Sequence, residues 1–415
     1  MKISPTSLSI KTLSMPVILL LATACGLSVA NIYYVHPMLN VIAADLHMNI
    51  ALAGSVITAT QICYACGLLF LVPLGDLLPR RQLIIGQMLV SALCLLFVAT
   101  ASGSTSFWIG IGLIGGLAVV AQTIIAAAAS MSAPQQRGQT IGFITSGIVI
   151  GILLARVLAG LLTDLAGWRS VYGCSAAALL LIVVLLYRYM PATPAPSTRP
   201  SYGQLVLSTL QLFRELPVLR IRALLAMMIF AAFGTLWTAL VFPLSIAPFY
   251  FSHSTIGLLG IAGLAGAVAA SRAGVWADRG WAQRTSGIAL ALLVLSWVFM
   301  WNMYHSVWFL IVGIIVLDLA VQAVHVTSQS MILSARPQAE SRLTGAYMVF
   351  YSIGSALGSL AATWVYARYG WNGVCWLGLS FSGVALLCWT LTQRMSSVPV
   401  SVVASSSTGH CKSTG

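Results

Sequence analysis

The chain has 415 residues, of which 59% are hydrophobic and only 7% charged, and its formal net charge is +13. A soluble globular domain carries about 25% charged residues, so this composition excludes a fold that faces water on all sides. The basic balance invites a nucleic-acid reading, but the distribution of the charges along the chain argues against it.

Apolar runs of about 20 residues, the length that crosses a bilayer core, recur twelve times. They lie at roughly 15–38, 51–75, 82–101, 107–132, 140–162, 169–189, 222–250, 255–277, 285–303, 306–333, 343–367 and 371–393. The first follows Lys2 and Lys11 and contains Ser28-Val29-Ala30, which mimics a secretory signal with a small-residue cleavage site. The run continues through Ile32-Tyr33-Tyr34-Val35 to Met38, so we read it as a retained first helix. If that helix leaves the cytoplasm, seventeen basic residues fall on the cytoplasmic side, only Arg169 and Arg368 fall outside, and Arg156 lies within a span. This is the positive-inside pattern, and it predicts both termini in the cytoplasm.

Between the sixth and seventh runs, Pro191 to Pro200 is rich in proline and reads as a stiff extended linker. Val206, Leu210 and Phe213 then recur at helical spacing beside Arg214, Arg220 and Arg222, which predicts a short amphipathic helix on the membrane surface. The expected organisation is an N-terminal half over 1–190, a linker over 191–221, a C-terminal half over 222–395 and a disordered tail over 396–415. Seven of the eight cysteines fall in spans. Cys63-Tyr64-Ala65-Cys66 has redox spacing without a redox fold around it, so the cysteines read as small core residues. No metal-ligand cluster and no Gly-rich phosphate loop ending in Lys-Ser/Thr is present in the sequence. We therefore expect no cofactor, no metal, no direct use of ATP and no enzyme.

The chain repeats itself. Val72-Pro73-Leu74-Gly75-Asp76, followed by Arg80 and Arg81, has a partner in Gly274-Val275-Trp276-Ala277-Asp278-Arg279, with Asp278 lying 202 residues after Asp76. Gly167-Trp168 pairs with Gly370-Trp371, and Gly151 pairs with Gly354, each at an offset of 203. A unit repeated at half the chain length implies two like halves. Two six-helix halves about an axis normal to the membrane are the arrangement of major facilitator transporters. The two aspartate turns, Gln136-Arg137-Gly138 and Asn31-Ile32-Tyr33-Tyr34-Val35-His36-Pro37 resemble that family, in its bacterial sugar-efflux or drug-efflux-like branch. The resemblance covers nearly the whole chain. It implies an all-α membrane protein of twelve transmembrane helices that works by alternating access.

Departures from the family pattern accompany the likeness. The first turn has Val72 for its leading glycine, Leu77 after the aspartate and Pro79 for its later glycine. The fourth helix lacks the arginine common in drug/proton antiporters, and the fifth has Ala155-Arg156 where those antiporters have a Gly-Pro pair.

Among the seven acidic residues, Asp318 alone lies well inside a span. A central aspartate costs about 2.5–3.5 kcal/mol on insertion scales, so it should face a wet cavity or a partner. Gln322, His325 and Gln329 follow on the same helical face. We expect Asp318, with His325, to bind and release protons; a stripe of hydrogen bonds that only fixes helix packing is the plainer alternative. Arg156 either holds an anionic solute, pairs with Asp318 or bonds to backbone carbonyls. Asn31, Tyr34, Gln61, Tyr64, Gln122, Arg156, Gln322 and Gln329 are expected to line the solute cavity. Asp76, Arg80, Arg81, Asp278 and Arg279 are expected to control the conformational equilibrium, since an anion suits a neighbouring helix N-terminus. The sequence thus predicts export of a small organic solute, drug-like or sugar-like, by proton antiport. Proton-coupled import or facilitated transport is the alternative within transport, and a non-transporting membrane sensor the alternative outside it. The expected partners are the solute, protons and the bilayer, with no nucleic acid; the oligomeric state is open and a monomer is assumed.

Overall fold

The computed structural model of the protein describes residues 14–132, 136–191, 201–336 and 340–393. Most of the proline-rich linker and the tail over 396–415 lie outside the described residues, as do the side chains of Asp76, Arg137 and Asp278. All regular structure among the described residues is helical.

Ten helical stretches among them are long and apolar enough to cross a bilayer. We number the membrane helices α1 (Met15–Asp45), α2 (Ile50–Phe70), α3 (Arg80–Ala99), α4 (Ser104–Met131), α5 (Arg137–Ala166), α6 (Trp168–Tyr189) and α7 (Pro217–Leu244). After them come α8 (His253 to Trp276), α9 (Ala282–Trp301), α10 (Val307–Ala335), α11 (340–369) and α12 (371–392). The last two are one helical run, Glu340–Thr392, folded back at Gly370. Of the expected twelve spans the eighth is the exception. It is divided into His253–Leu258, a 3-10 turn at Leu259–Ala262, and Gly263–Trp276.

Local sequence explains the ends. Asn49 caps α2 through its Oδ1, Ser252 caps α8, and Ser306 caps α10, each side chain accepting a free N–H of the first turn. Pro37 lies in the 3-10 turn His36–Met38 that interrupts α1, where its missing N–H removes a helical bond. The first helix therefore runs on to Asp45, beyond the expected end at Met38. Leu93, Ile150, Val184, Ile288 and Leu387 stay exposed along these helices and form a lipid-facing surface.

The sequence repeat is one packing solution used twice. Gly167 and Gly370 both have positive φ, 78° and 63°, which glycine adopts without a Cβ penalty. Each reverses a helical hairpin, and the tryptophan that follows is buried: Trp168 donates to Asp45 Oδ2 at 3.2 Å and Trp371 to the Met300 carbonyl at 2.9 Å. Gly151 packs against the backbone of Gly26 in α1, and Gly354 against the backbone of Met227 in α7. Small residues allow this approach where helices have no hydrophobic drive to associate.

The expected amphipathic helix is Tyr202–Glu215. Its Leu212 and Phe213 join Leu219, Ile332, Leu343 and Tyr347 in a small core on the C-terminal half, and Glu215 pairs with Arg336. Its first residue, Tyr202, donates to the Phe70 carbonyl of α2 at 2.9 Å.

One expectation is corrected here. Arg222 was counted with the basic surface residues, but α7 begins five residues earlier, at Pro217, and Arg222 is fully buried within it. Its guanidinium donates to Ser286 Oγ at 3.0 Å and to Gln283 Oε1, both on α9. Pro217 at the helix start tolerates a missing donor, which lets the helix open ahead of the apolar run.

Candidate functional site

The face that carries Arg80, Arg81 and Arg188 is called here the basic face. Among the described residues, several hydrogen bonds join the two halves at the middle of the helices and toward the opposite end, called the far face. Tyr33 and Tyr351 share a hydroxyl contact of 2.9 Å, and Thr58 donates to the Ala356 carbonyl at 2.9 Å. Thr363 Oγ accepts from the Gly54 N–H at 3.2 Å, and Asn40 donates to Ser245 Oγ at 3.0 Å. At the far end of α5, Asp164 accepts from the N–H groups of His253 and Ser254, from the Ser254 hydroxyl at 2.5 Å, and contacts His253 Nδ1 at 2.8 Å. That carboxylate ties the N-terminal half to the start of α8.

Arg156 and Asp318 meet at this seam. Arg156 is 2% exposed and Asp318 4% exposed. No ion pair joins them; Trp237 of α7 stands between. The guanidinium carbon of Arg156 lies 3.5 Å from the Trp237 ring centroid, with Tyr33 and Phe233 at 5.5 and 5.7 Å. The indole N–H of the same tryptophan donates to Asp318 Oδ1 at a long 3.4 Å. A desolvated cation over an aromatic face gains about 2 kcal/mol, far less than a buried charge loses on leaving water. The Nε and Nη2 atoms of Arg156 are buried without a hydrogen-bond partner. The structure therefore holds a cation whose donors are incompletely used.

The broken helix α8 makes the space. Gly260 packs on the aliphatic stem of Arg156, with a virtual Cβ 3.1 Å from its Cβ and Cδ. A Cβ at Gly263 would lie 3.2 Å from Asp318 Oδ2, and one at Gly266 3.0 Å from Gln322 Cγ. The glycine stripe of α8 is thus the wall that accommodates both charges. A small void beside the guanidinium is lined by His36, Pro37, Trp237 and Ile256.

The other expected residues divide. Asp318 faces Trp237 and Gly263, whereas His325, two turns along α10, contacts Tyr347 OH at 3.0 Å and lies edge-on to Phe230. Gln329 is half-buried. Asn31 accepts from Ser175 at 2.8 Å and Tyr34 meets the same hydroxyl at 3.3 Å, so both are held between α1 and α6 inside the N-terminal half. Tyr33, not Tyr34, reaches the seam. Tyr64 is buried within reach of Gln122, and Gln61 is buried with its Oε1 unpaired among the described residues. On the basic face, Arg80 donates to the carbonyls of Gly75 and Ala126, and Arg81 donates to the Tyr187 carbonyl over the Tyr187 ring. These clamps lie within one half. Arg279 is exposed.

Trp237 and Tyr351 escaped the sequence reading, because an aromatic residue in an apolar helix has no signature separating seam from core. A signal existed for Trp237: it lies 203 residues after Tyr34. The same offset pairs Gly54 with Gly257 and Arg156 with Ser359. Gly54 packs against the Ser359 carbonyl, and Gly257 against the Arg156 carbonyl. It also pairs Thr60 with Gly263 and Gly115 with Asp318, and the same contact recurs in each half: Gly115 packs against Thr60, and Gly263 against Asp318. The two charges therefore occupy sites of contact that the scaffold builds twice and charges once.

The comparisons with known proteins agree with this architecture. The sequence model of the Major Facilitator Superfamily matches residues 19–279 and 223–405. The chain belongs to the Major Facilitator Superfamily. Among its relatives in that superfamily is an uncharacterized transporter of Escherichia coli O157:H7, YgaY, 43% identical over 377 residues that cover 91% of this chain and 95% of the relative. A Helicobacter pylori protein named a probable sugar efflux transporter is 22% identical over 84% of this chain and 88% of its own length. The fold matches the crystal structure of a bacterial homolog to the human lysosomal transporter Spinster, solved inward-facing and unoccupied. The TM-score is 0.73 at 13% identity, with 92% of this chain and 98% of that one covered. This major facilitator protein is a multi-pass membrane transporter.

Proposed function

We propose that this transporter is a proton-coupled secondary carrier of a small organic solute, working by alternating access, with Asp318 as the proton-binding group. The observation that carries the reading is the buried Asp318 carboxylate at the seam of the two halves, held by Trp237 and facing no direct cationic partner. A carboxylate so placed is stable ionised or neutral only as its surroundings change, which is what a coupling site requires. The far-face hydrogen bonds support a conformation closed on that side. With both termini in the cytoplasm of a bacterial inner membrane, as the basic-residue distribution implies, that side is the exterior. The cavity reading extends to Gln61, Tyr64, Gln122, Gln322 and Gln329, with Asn31 and Tyr34 supporting it from behind. In this reading His325 serves as a proton relay two turns along α10 from Asp318, where it contacts Tyr347, and the aspartate turns with Arg80, Arg81 and Arg279 stiffen the halves and set their equilibrium.

Two directions of coupling fit. Export by antiport requires solute and proton to displace one another, and it draws support from the efflux name of the Helicobacter relative. Import by symport requires them to travel together, and the unpaired donors of Arg156 favour it. The test is flux into or out of liposomes holding the purified protein, under an imposed pH gradient, across a solute panel. Asp318→Asn is expected to insert normally, lose gradient-driven flux and retain some solute exchange. Full proton coupling in that variant overturns the assignment, and a wild type without gradient-dependent flux of any solute returns the chain to the sensor reading.

A further inference from the structure

We infer that the solute is a small organic monoanion with an apolar or aromatic body, bound through its carboxylate to Arg156, and that it crosses together with a proton on Asp318. The inference rests on the reading of Asp318 as the proton carrier and selects between the two directions of coupling.

The first ground is the donor pattern. Nε and Nη2 lie on one edge of a guanidinium, and their N–H groups are parallel and spaced for the two oxygens of a carboxylate. In Arg156 these two atoms are the buried ones without a partner. Asp318, the nearest carboxylate, has one oxygen turned to Trp237 and the other against Gly263, and does not take that edge. The face of the guanidinium is covered by Trp237, with Tyr33 and Phe233 beside it. An anion seated on the edge therefore meets aromatic surface around its own body. A neutral sugar would give the two-donor edge no charged acceptor, and a cationic solute would be repelled by the guanidinium.

The second ground is charge balance. A closed centre in low dielectric is least costly at net zero. Arg156 with an ionised Asp318 sums to zero when the site is empty. Adding a monoanion makes it −1, and a proton transferred from solvent to the Asp318 carboxylate restores zero. The site carrying proton without anion is +1. The two states that cross most easily are thus empty, or loaded with anion and proton together.

The test uses the purified full-length protein in detergent, with benzoate, phenylacetate and indole-3-acetate as probes and their amides as neutral controls. Binding is read by calorimetry and proton exchange by a pH dye in weak buffer. At least one carboxylate should bind about tenfold or more tightly than its amide, with about one proton taken up per anion as charge neutrality requires. Arg156→Gln should abolish that preference. Arg156→Lys, which keeps charge but not the two-donor edge, should retain only part of it. Asp318→Asn should bind the anion with no proton uptake. No binding of any probe, equal binding of acid and amide, an unchanged preference in folded Arg156→Gln, or proton release on binding each overturns the inference. The acid–amide comparison needs no variant, so it stands even where Arg156→Gln fails to fold. Proton-coupled flux that depends on Asp318 without carboxylate binding would remove the anion and keep the carrier. Anion binding with full coupling in Asp318→Asn would keep the anion site and remove the carrier.

Discussion

The ring of Trp237 lies 3.5 Å from the guanidinium carbon of Arg156 and also points its N–H at Asp318, so one side chain covers the cation and orients the anion. Two unlike charges share a seam without collapsing into an ion pair. That leaves each free to change partner, which a direct salt bridge would prevent.

Replacing this residue separates its two roles. Trp237→Phe keeps a ring under Arg156 and removes the donor to Asp318. We expect a loss of about 1 kcal/mol in stability, with gradient-driven flux falling more than solute exchange. Trp237→Ala should cost about 3–5 kcal/mol as a core truncation. Thermal unfolding in detergent and liposome flux check both, and equal loss of the two fluxes in Trp237→Phe would remove the orienting role.

The glycine contacts at the seam predict a shift in conformation. A Cβ on Gly54 would press into the Ser359 carbonyl, and a Cβ on Gly257 into that of Arg156. Gly54→Ala and Gly257→Ala should each disfavour far-face closure by about 1–3 kcal/mol. An Asn40→Cys reporter, sited where Asn40 meets Ser245, should then react faster with a membrane-impermeant maleimide. Unchanged labelling would mean the seam yields without opening.

The Asp164 bonds to His253 and Ser254 form a latch on the same face. Asp164→Ala frees the first turn of α8 and should favour the opened state. Partial exposure screens the interaction, so the change is about 1–2 kcal/mol, roughly a tenfold shift in the open-to-closed ratio. Double electron resonance distances across the far face measure it; an unmoved distribution contradicts the latch.

Arg222 predicts an effect on stability without one on coupling. Arg222→Ala leaves a cavity and strips a donor from Ser286 and Gln283, costing about 2–4 kcal/mol. Arg222→Met fills the volume without a charge and should fall within about 1 kcal/mol of the parent, since apolar replacement of buried charge is often neutral. Thermal unfolding separates the two, and a Met variant as damaged as the Ala variant would make the charge itself essential.

The membrane fold was legible because hydropathy runs and the basic bias are properties of single segments. The two interior charges of the seam were legible for the same reason: Asp318 and Arg156 stand out against apolar neighbours. Which residues meet them was not. Tyr33 and Tyr34 are 100° apart on a helix, and nothing along α1 says which one faces the other half. Arg222 departs from the sequence expectation because a helix start five residues ahead of a charge decides whether that charge is surface or core. The hydrogen-bond stripe of α10 was visible by spacing, yet its members contact different helices, and spacing along one helix carries no information about neighbours.

The contact of Gly54 with Ser359, and its twin between Gly257 and Arg156, bears on ancestry. A duplicated half that joined its own copy would begin with two equivalent, uncharged seams. A single substitution at the position now held by Arg156 would make one seam chemically distinct while the other kept its neutral closure. Selectivity could then change on one side of the molecule while the opposite seam preserved the fold, so a lineage of such carriers can diversify in cargo without rebuilding its hinge.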